Sequence, residues 1–116
     1  MTRQQAIEAI RASVSRGTAS PIFEADRDNA VKGLARELES AAIDPVPAAI
    51  GGITYPDEDL AKVLAADAPL VIARAGDNWL GFLPSRQEFF LAHGPSAAQL
   101  NALGFYSSDA LAEWRG

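Results

Sequence analysis

Apolar positions along this chain change their period several times, and each change marks an element. Between residues 3 and 16, Ile7, Ile10 and Val14 fall at i, i+3 and i+7 among Arg3, Gln4, Gln5, Glu8, Arg11 and Arg16. That spacing predicts an amphipathic helix, with Thr2 as its N-cap and Gly17 as its stop. Three arginines on its solvated face are balanced by Glu8 and by the acidic chain as a whole. Residues 17–21 form a connector, and Ile22 and Phe23 are placed to staple onto the next helix. This second helix starts at Asp26 or Asp28 and runs to about Ile43, with Val31, Leu34, Ala35, Leu38 and Ala42 on one face. Gly33 inside it weakens it by roughly 1 kcal/mol relative to Ala.

The helical period stops at Asp44. From there to Pro56, three prolines and the Gly51-Gly52 pair exclude helix. Ile50 to Tyr55 reads as a short edge strand within an exposed stretch that presents Ile50, Ile53 and Tyr55 as a contact surface. Helix returns from Asp57 to Asp67, with Leu60, Val63 and Leu64 as its buried edge. Asp57, Glu58 and Asp59 crowd its first turn, where free N–H groups and the helix dipole favour negative charge.

A period of two follows. Leu70 to Ala73 form an apolar run behind Pro69, and Trp79 to Leu83 form a second, with Gly76-Asp77 between them. Gly at the first central position predicts a type II′ turn, so residues 69–83 are a β-hairpin. In the second strand Trp79, Gly81 and Leu83 face one way and Leu80 and Phe82 the other. Both faces are apolar, which makes this a central strand covered on both sides. Gly81 leaves room there for an aromatic ring from a neighbour. Ser85 to Glu88 fits either a capping box or a turn, and the Phe89-Phe90 pair favours a third strand over 88–93. Ser96 and Gln99 match a capping box for a helix holding Ala97, Leu100 and Leu103 and ending at Gly104, with Phe105 and Tyr106 as packing residues. Ser107 or Ser108 then caps a last helix containing Leu111 and Trp114. The expected fold is α+β: a small antiparallel meander packed on N-terminal helices, with two short C-terminal helices.

Length changes this picture little: 116 residues make one globular domain, residues 1–116. No apolar run approaches the ~20 residues that span a bilayer. Without cysteine there is no disulfide framework, thiolate metal site or thiol nucleophile. The polar start lacks the apolar core of a signal peptide, which together with the missing cysteines favours the cytoplasm. Charge matters more. Between residues 41 and 72, Lys62 stands alone against Asp44, Asp57, Glu58, Asp59 and Asp67, so this middle segment carries −4 of the net −5. Such a field repels phosphate backbones and anionic lipid and steers a basic protein partner. Its plainer role is solubility.

Candidate chemistry is sparse. His93 is the lone histidine, so no two-histidine metal motif exists, and as a general base it would need an orienting partner. No serine lies in a G-x-S-x-G elbow. Gly51-Gly52 lacks the spacing of a phosphate loop, and helix capping accounts for Asp57, Glu58 and Asp59 without a metal. Arg74 interrupts an apolar strand, where an acidic partner or Glu88 across the sheet could meet it. Aromatic residues do not interleave with basic ones. The C-terminal helix pair carries Asp109 and Glu113 against Arg115, too little positive charge to grip a nucleic-acid backbone.

By exclusion, the expectation is a non-enzymatic protein-binding domain without cofactor or metal. Its most concrete form is a bacterial immunity or antitoxin-type inhibitor that docks a basic toxin such as a nuclease through Asp44, Tyr55, Asp57, Glu58, Asp59 and Asp67. Two competitors remain: a small enzyme or ligand-binding domain using His93 with a carboxylate, and a homo-oligomeric structural or accessory protein.

Overall fold

The computed structural model describes residues 1–19 and 26–115. Helices α1 (Arg3–Ser15) and α2 (Arg27–Ser40) precede strands β1 (Ala42–Pro47) and β2 (Ile50–Ile53) and helix α3 (Glu58–Ala66). Strands β3 (Leu70–Ala75), β4 (Asn78–Leu83), β5 (Glu88–Ser96) and β6 (Gln99–Ser107) follow, and α4 (Ala110–Arg115) closes the chain. The class is α+β, as expected. The staple expected of Ile22 and Phe23 lies outside the described residues.

Local chemistry explains most boundaries. Thr2 and Gln5 form a reciprocal capping box at α1, and Gly17 takes the left-handed backbone (φ 97°) that ends it. Asp26 caps α2 through Asn29 N–H, and Asp57 caps α3 through Leu60 N–H. In the β3–β4 loop Gly76 has φ 61° while Asp77 keeps negative φ, the signature of a type II′ turn. The segment expected as a third strand is strand, and it extends to Ser96.

Three expectations are corrected. The second helix stops at Ser40 rather than Ile43, because Ala42 and Ile43 are drawn into β1. The helix expected after Ser96 does not form: Ser96 pairs with Gln99 across a hairpin, and β6 alternates buried Leu100, Ala102 and Gly104 with more exposed neighbours. Pairing along β5 outweighs the local capping signal there. The chain therefore has one short C-terminal helix, not two. Finally, Arg74 meets no carboxylate among the described residues, and Glu88 is not its partner across the sheet. The two-residue turn fixes the register Ala75–Asn78, Arg74–Trp79, so Arg74 stands opposite Trp79. Its guanidinium lies 4.3 Å from that ring's centre and donates to the Gly76 and Pro95 carbonyls. Glu88 pairs with Arg86 instead, at 2.6 Å.

Strand order is β1-β3-β4-β5-β6-β2, with only the β2–β6 pairing parallel. The first two strands are therefore opposite edges, although two residues separate them in sequence. In a flat sheet those edges would lie about 24 Å apart. The chain from Pro47 to Ile50 reaches at most roughly 11 Å, so the sheet must roll. Hydrogen bonds mark the seam: Ala48 N–H donates to the Pro69 carbonyl at 3.0 Å, and Ala49 N–H donates to Ala97 at 2.8 Å.

Rolling separates two cores. Inside it, Val71, Trp79, Leu83, Phe90 and Leu100 pack with Leu60 of α3. Outside, Ile72, Leu80, Phe82 and Phe89 pack under Ala6 and Ile10 of α1, Leu38 of α2 and Ala110 of α4. Buried Ser13 ties α1 to α4, donating to the Ser108 carbonyl (2.7 Å) and accepting from Ala110 N–H (2.8 Å).

Gly81 sits opposite Phe90, and a Cβ there would lie 2.1 Å from the ring's Cζ. The room expected for an aromatic ring is thus filled. Gly81→Ala should cost about 3 kcal/mol in denaturant unfolding through overpacking. The same change made in a Phe90→Ala background should cost much less, because the two sites couple. Additive costs would contradict this packing.

Candidate functional site

Beyond β2 the chain keeps to β6: Thr54 N–H donates to the Ala102 carbonyl (2.8 Å) and Tyr55 N–H to Leu103 (2.7 Å). Gly104 permits this close approach. It holds φ 133°, and a Cβ on it would lie 2.3 Å from the Tyr55 carbonyl oxygen. Tyr55 is thereby fixed over the sheet beside Phe105, with ring centres 5.9 Å apart and planes at 43°. Each aromatic residue is 60% exposed, the largest exposure among the described big apolar side chains. Two anchored aromatic rings turned to solvent form the most conspicuous surface feature of the molecule.

Acidic residues follow Tyr55 in the chain, and one shares a cleft with Phe105. Two residues after Tyr55, Asp57 spends its carboxylate on Leu60 N–H (3.0 Å), while Glu58 and Asp59 are exposed in the first turn of α3. Phe105 walls a cleft of about 220 Å³ shared with Leu91, Leu103, Ala112 and Glu113. Half-buried Glu113 accepts from the Ser107 hydroxyl at 2.8 Å. Burial pushes the Glu113 carboxyl above its ordinary range; the Ser107 hydrogen bond works against this, and neighbouring Asp109 adds to it. Asp109 caps α4 through Ala112 N–H and also accepts from Thr18 and from Ala19 N–H.

Of the residues proposed from sequence, Tyr55, Asp57, Glu58 and Asp59 lie within five consecutive positions at the start of α3. Asp67 stands at the far end of α3, about 13 Å along the axis, and accepts from Ala68 N–H and the Ser85 hydroxyl. Asp44 is exposed on β1, which pairs with β3, whereas the segment leading to Tyr55 pairs with β6. Sequence reasoning missed Phe105 and Glu113. The sequence reading makes Phe105 a packing residue that follows a helix ending at Gly104. Read instead as a strand, residues 99–105 alternate, and position 105 falls on the outward phase with Gln99 and Asn101.

His93 is exposed and its Nδ1 lies 2.6 Å from the Asn78 side-chain oxygen. Its partner is therefore an amide rather than the carboxylate that the enzymatic alternative invoked. Cross-strand register aligns Asn78, His93, Asn101 and Gly52 in one row. His93 and Asn101 share an open cleft of about 550 Å³ with Gln99 and Pro95. Among the described residues no group of three His, Asp or Glu side chains could hold a metal ion, and no helix is long and apolar enough to cross a membrane. Comparison with family models, with curated proteins and with solved structures finds no match.

A carboxyl whose pKa is raised on folding binds protons more readily in the folded chain than in the unfolded one. Its contribution to stability is therefore complete below the ordinary carboxylate range and is lost as pH rises through the raised value. Glu113→Gln keeps an oxygen for Ser107 and removes the charge. Thermal melts should show the variant gaining on the wild type as pH climbs through that window, with no gain at acid pH. A difference that does not change with pH would contradict the strained carboxylate.

Proposed function

We propose that this protein works by binding another protein, a basic one, through the Tyr55–Phe105 surface. One observation carries the reading: two aromatic rings in contact, both mostly exposed, stand beside a cleft that Glu113 also lines, and Glu58 and Asp59 follow Tyr55 within four residues of the chain. Aromatic residues presented at the centre of a polar rim are the usual energetic anchors of protein interfaces. Acidic side chains accelerate encounter with a cationic partner and discourage nucleic acid. The net charge of −5 acts in the same direction over longer range. In its most concrete form the protein is an immunity or antitoxin-type inhibitor in a bacterial cytoplasm, covering a basic toxin such as a nuclease. Asp44 and Asp67 then contribute to the long-range field rather than to the contact itself.

A ligand-binding reading has the cleft at His93 and Asn101 in its favour. It lacks a convergent charged group, so the aromatic surface is the stronger site.

Paired affinity capture from the native host tests the reading, with wild type and a Tyr55→Ser/Phe105→Ser double variant as baits. A basic protein should be enriched on the wild type, fade as salt is raised, and be lost on the double variant. Equal recovery on both baits, or none on either, contradicts the proposal.

A further inference from the structure

We propose that the cleft between Phe105 and α4 receives one lysine side chain of the partner, its stem against Leu91, Leu103 and Phe105 and its ammonium on the Glu113 carboxylate. This deepens the binding reading above and rests on it. The cleft lies on the outer face of the sheet, where Leu91 stands opposite Leu80 of the outer core. Leu91 comes from β5, Leu103 and Phe105 from β6, and Ala112 and Glu113 from α4. Clefts that hold whole small molecules run from about 300 to 1,000 Å³. This one encloses about 220 Å³, the scale of a single side chain.

Glu113 is the charged group of the lining, and the fold leaves that charge uncompensated. One of its oxygens, Oε2, accepts from the Ser107 hydroxyl at 2.8 Å. Among the described residues the ion pairs are Arg11–Glu39 and Arg86–Glu88, and no cation pairs with Glu113. The charge that acts on it is Asp109, of the same sign, whose own oxygens are taken by Thr18, Ala19 N–H and Ala112 N–H. Half-burial in apolar surroundings raises the carboxyl above its ordinary range. A carboxylate held in this way costs the free protein stability and gains an attractive partner only when a cation arrives.

That charge and the apolar walls together select the occupant. An apolar side chain would strip water from the carboxylate with nothing in return, and an acidic one would meet two like charges. Lysine lays its methylene stem along apolar surface and carries its charge at the end. Arginine fits less well: its planar fork grips both oxygens of a carboxylate, and Oε2 already serves Ser107, whereas an ammonium needs one oxygen. The Phe105 ring adds a face to which a cation is attracted. Because the same ring touches Tyr55, the lysine enters at the foot of the aromatic pair. Anchors and cleft thus form one continuous contact.

The test titrates N-acetyl-lysine methylamide into isotope-labelled full-length protein, beside its norleucine analogue, which keeps the four-carbon stem and lacks the ammonium. With the lysine compound, saturable shifts should centre on Leu91, Leu103, Phe105 and Glu113 and weaken with added salt. Norleucine should bind about fivefold or more weakly. Glu113→Gln keeps the size of the side chain and an acceptor for Ser107. It should lower lysine affinity about tenfold and abolish the preference over norleucine, with an unchanged circular dichroism spectrum. Absence of saturable shifts, shifts centred elsewhere, equal binding of the two compounds, or equal lysine binding by Glu113→Gln overturns the proposal. Tighter binding of the arginine analogue overturns the choice of an ammonium. A dimer in sedimentation that Glu113→Gln dissociates assigns the cleft to a second copy and overturns it too. Failure of the broader reading is distinguishable. Partner capture lost by the Tyr55/Phe105 variant yet untouched by Glu113→Gln sinks only the lysine cleft. Lysine binding in the cleft without any captured partner sinks only the reading above.

Discussion

Two consecutive backbone amides hold the sheet in its shape. Ala48 bonds to the residue before β3 and Ala49 to the tip of the β5–β6 hairpin, so adjacent residues are tied to opposite ends of the strand order. Since neighbouring Cα atoms are only 3.80 Å apart, these bonds require the edges to meet and the sheet to curl around its own inner face. Prolines suit this place. Pro45 and Pro47 lie on an edge strand, where a missing N–H costs little, and they stiffen the chain just before it changes partners.

Much else follows from the curl. The inner face needs one short helix as a plug, and α3 provides it through fully buried Leu60. The outer face is broad and takes three helices, tied together at its end by Ser13 and α4. Because α3 seals the inside without pairing with β2, a groove is left along that edge. Its acidic first turn is held by the Asp57 cap, a device chosen by helix physics whose second consequence is negative charge close to Tyr55 in the chain. One local preference thus serves folding and recognition together.

Elements whose signal is local were legible in the sequence: the Thr2, Asp26 and Asp57 caps, the Gly76 turn, and Gly81 as a seat for an aromatic ring. What could not be read depends on partners distant in the chain. The Ser96–Gln99 pattern is a sound helix start in isolation and becomes a hairpin only because β5 lies beside it. The stretch after Asp44 has no period because it divides its pairing between β3 and β6. Half of the candidate site was visible for the same reason. Tyr55 and the acids of α3 are near neighbours in sequence, whereas Phe105 and Glu113 reach them only through the fold.

The rolled sheet is tested most directly by native-state hydrogen exchange at Ala48 and Ala49. A sheet closed across this seam should protect both amides to the same degree as central strand amides such as Leu80 and Phe90. Exchange at the rate of an exposed loop, with β3 to β6 still protected, would mean that the edges do not meet and that the groove beside β2 does not exist as described.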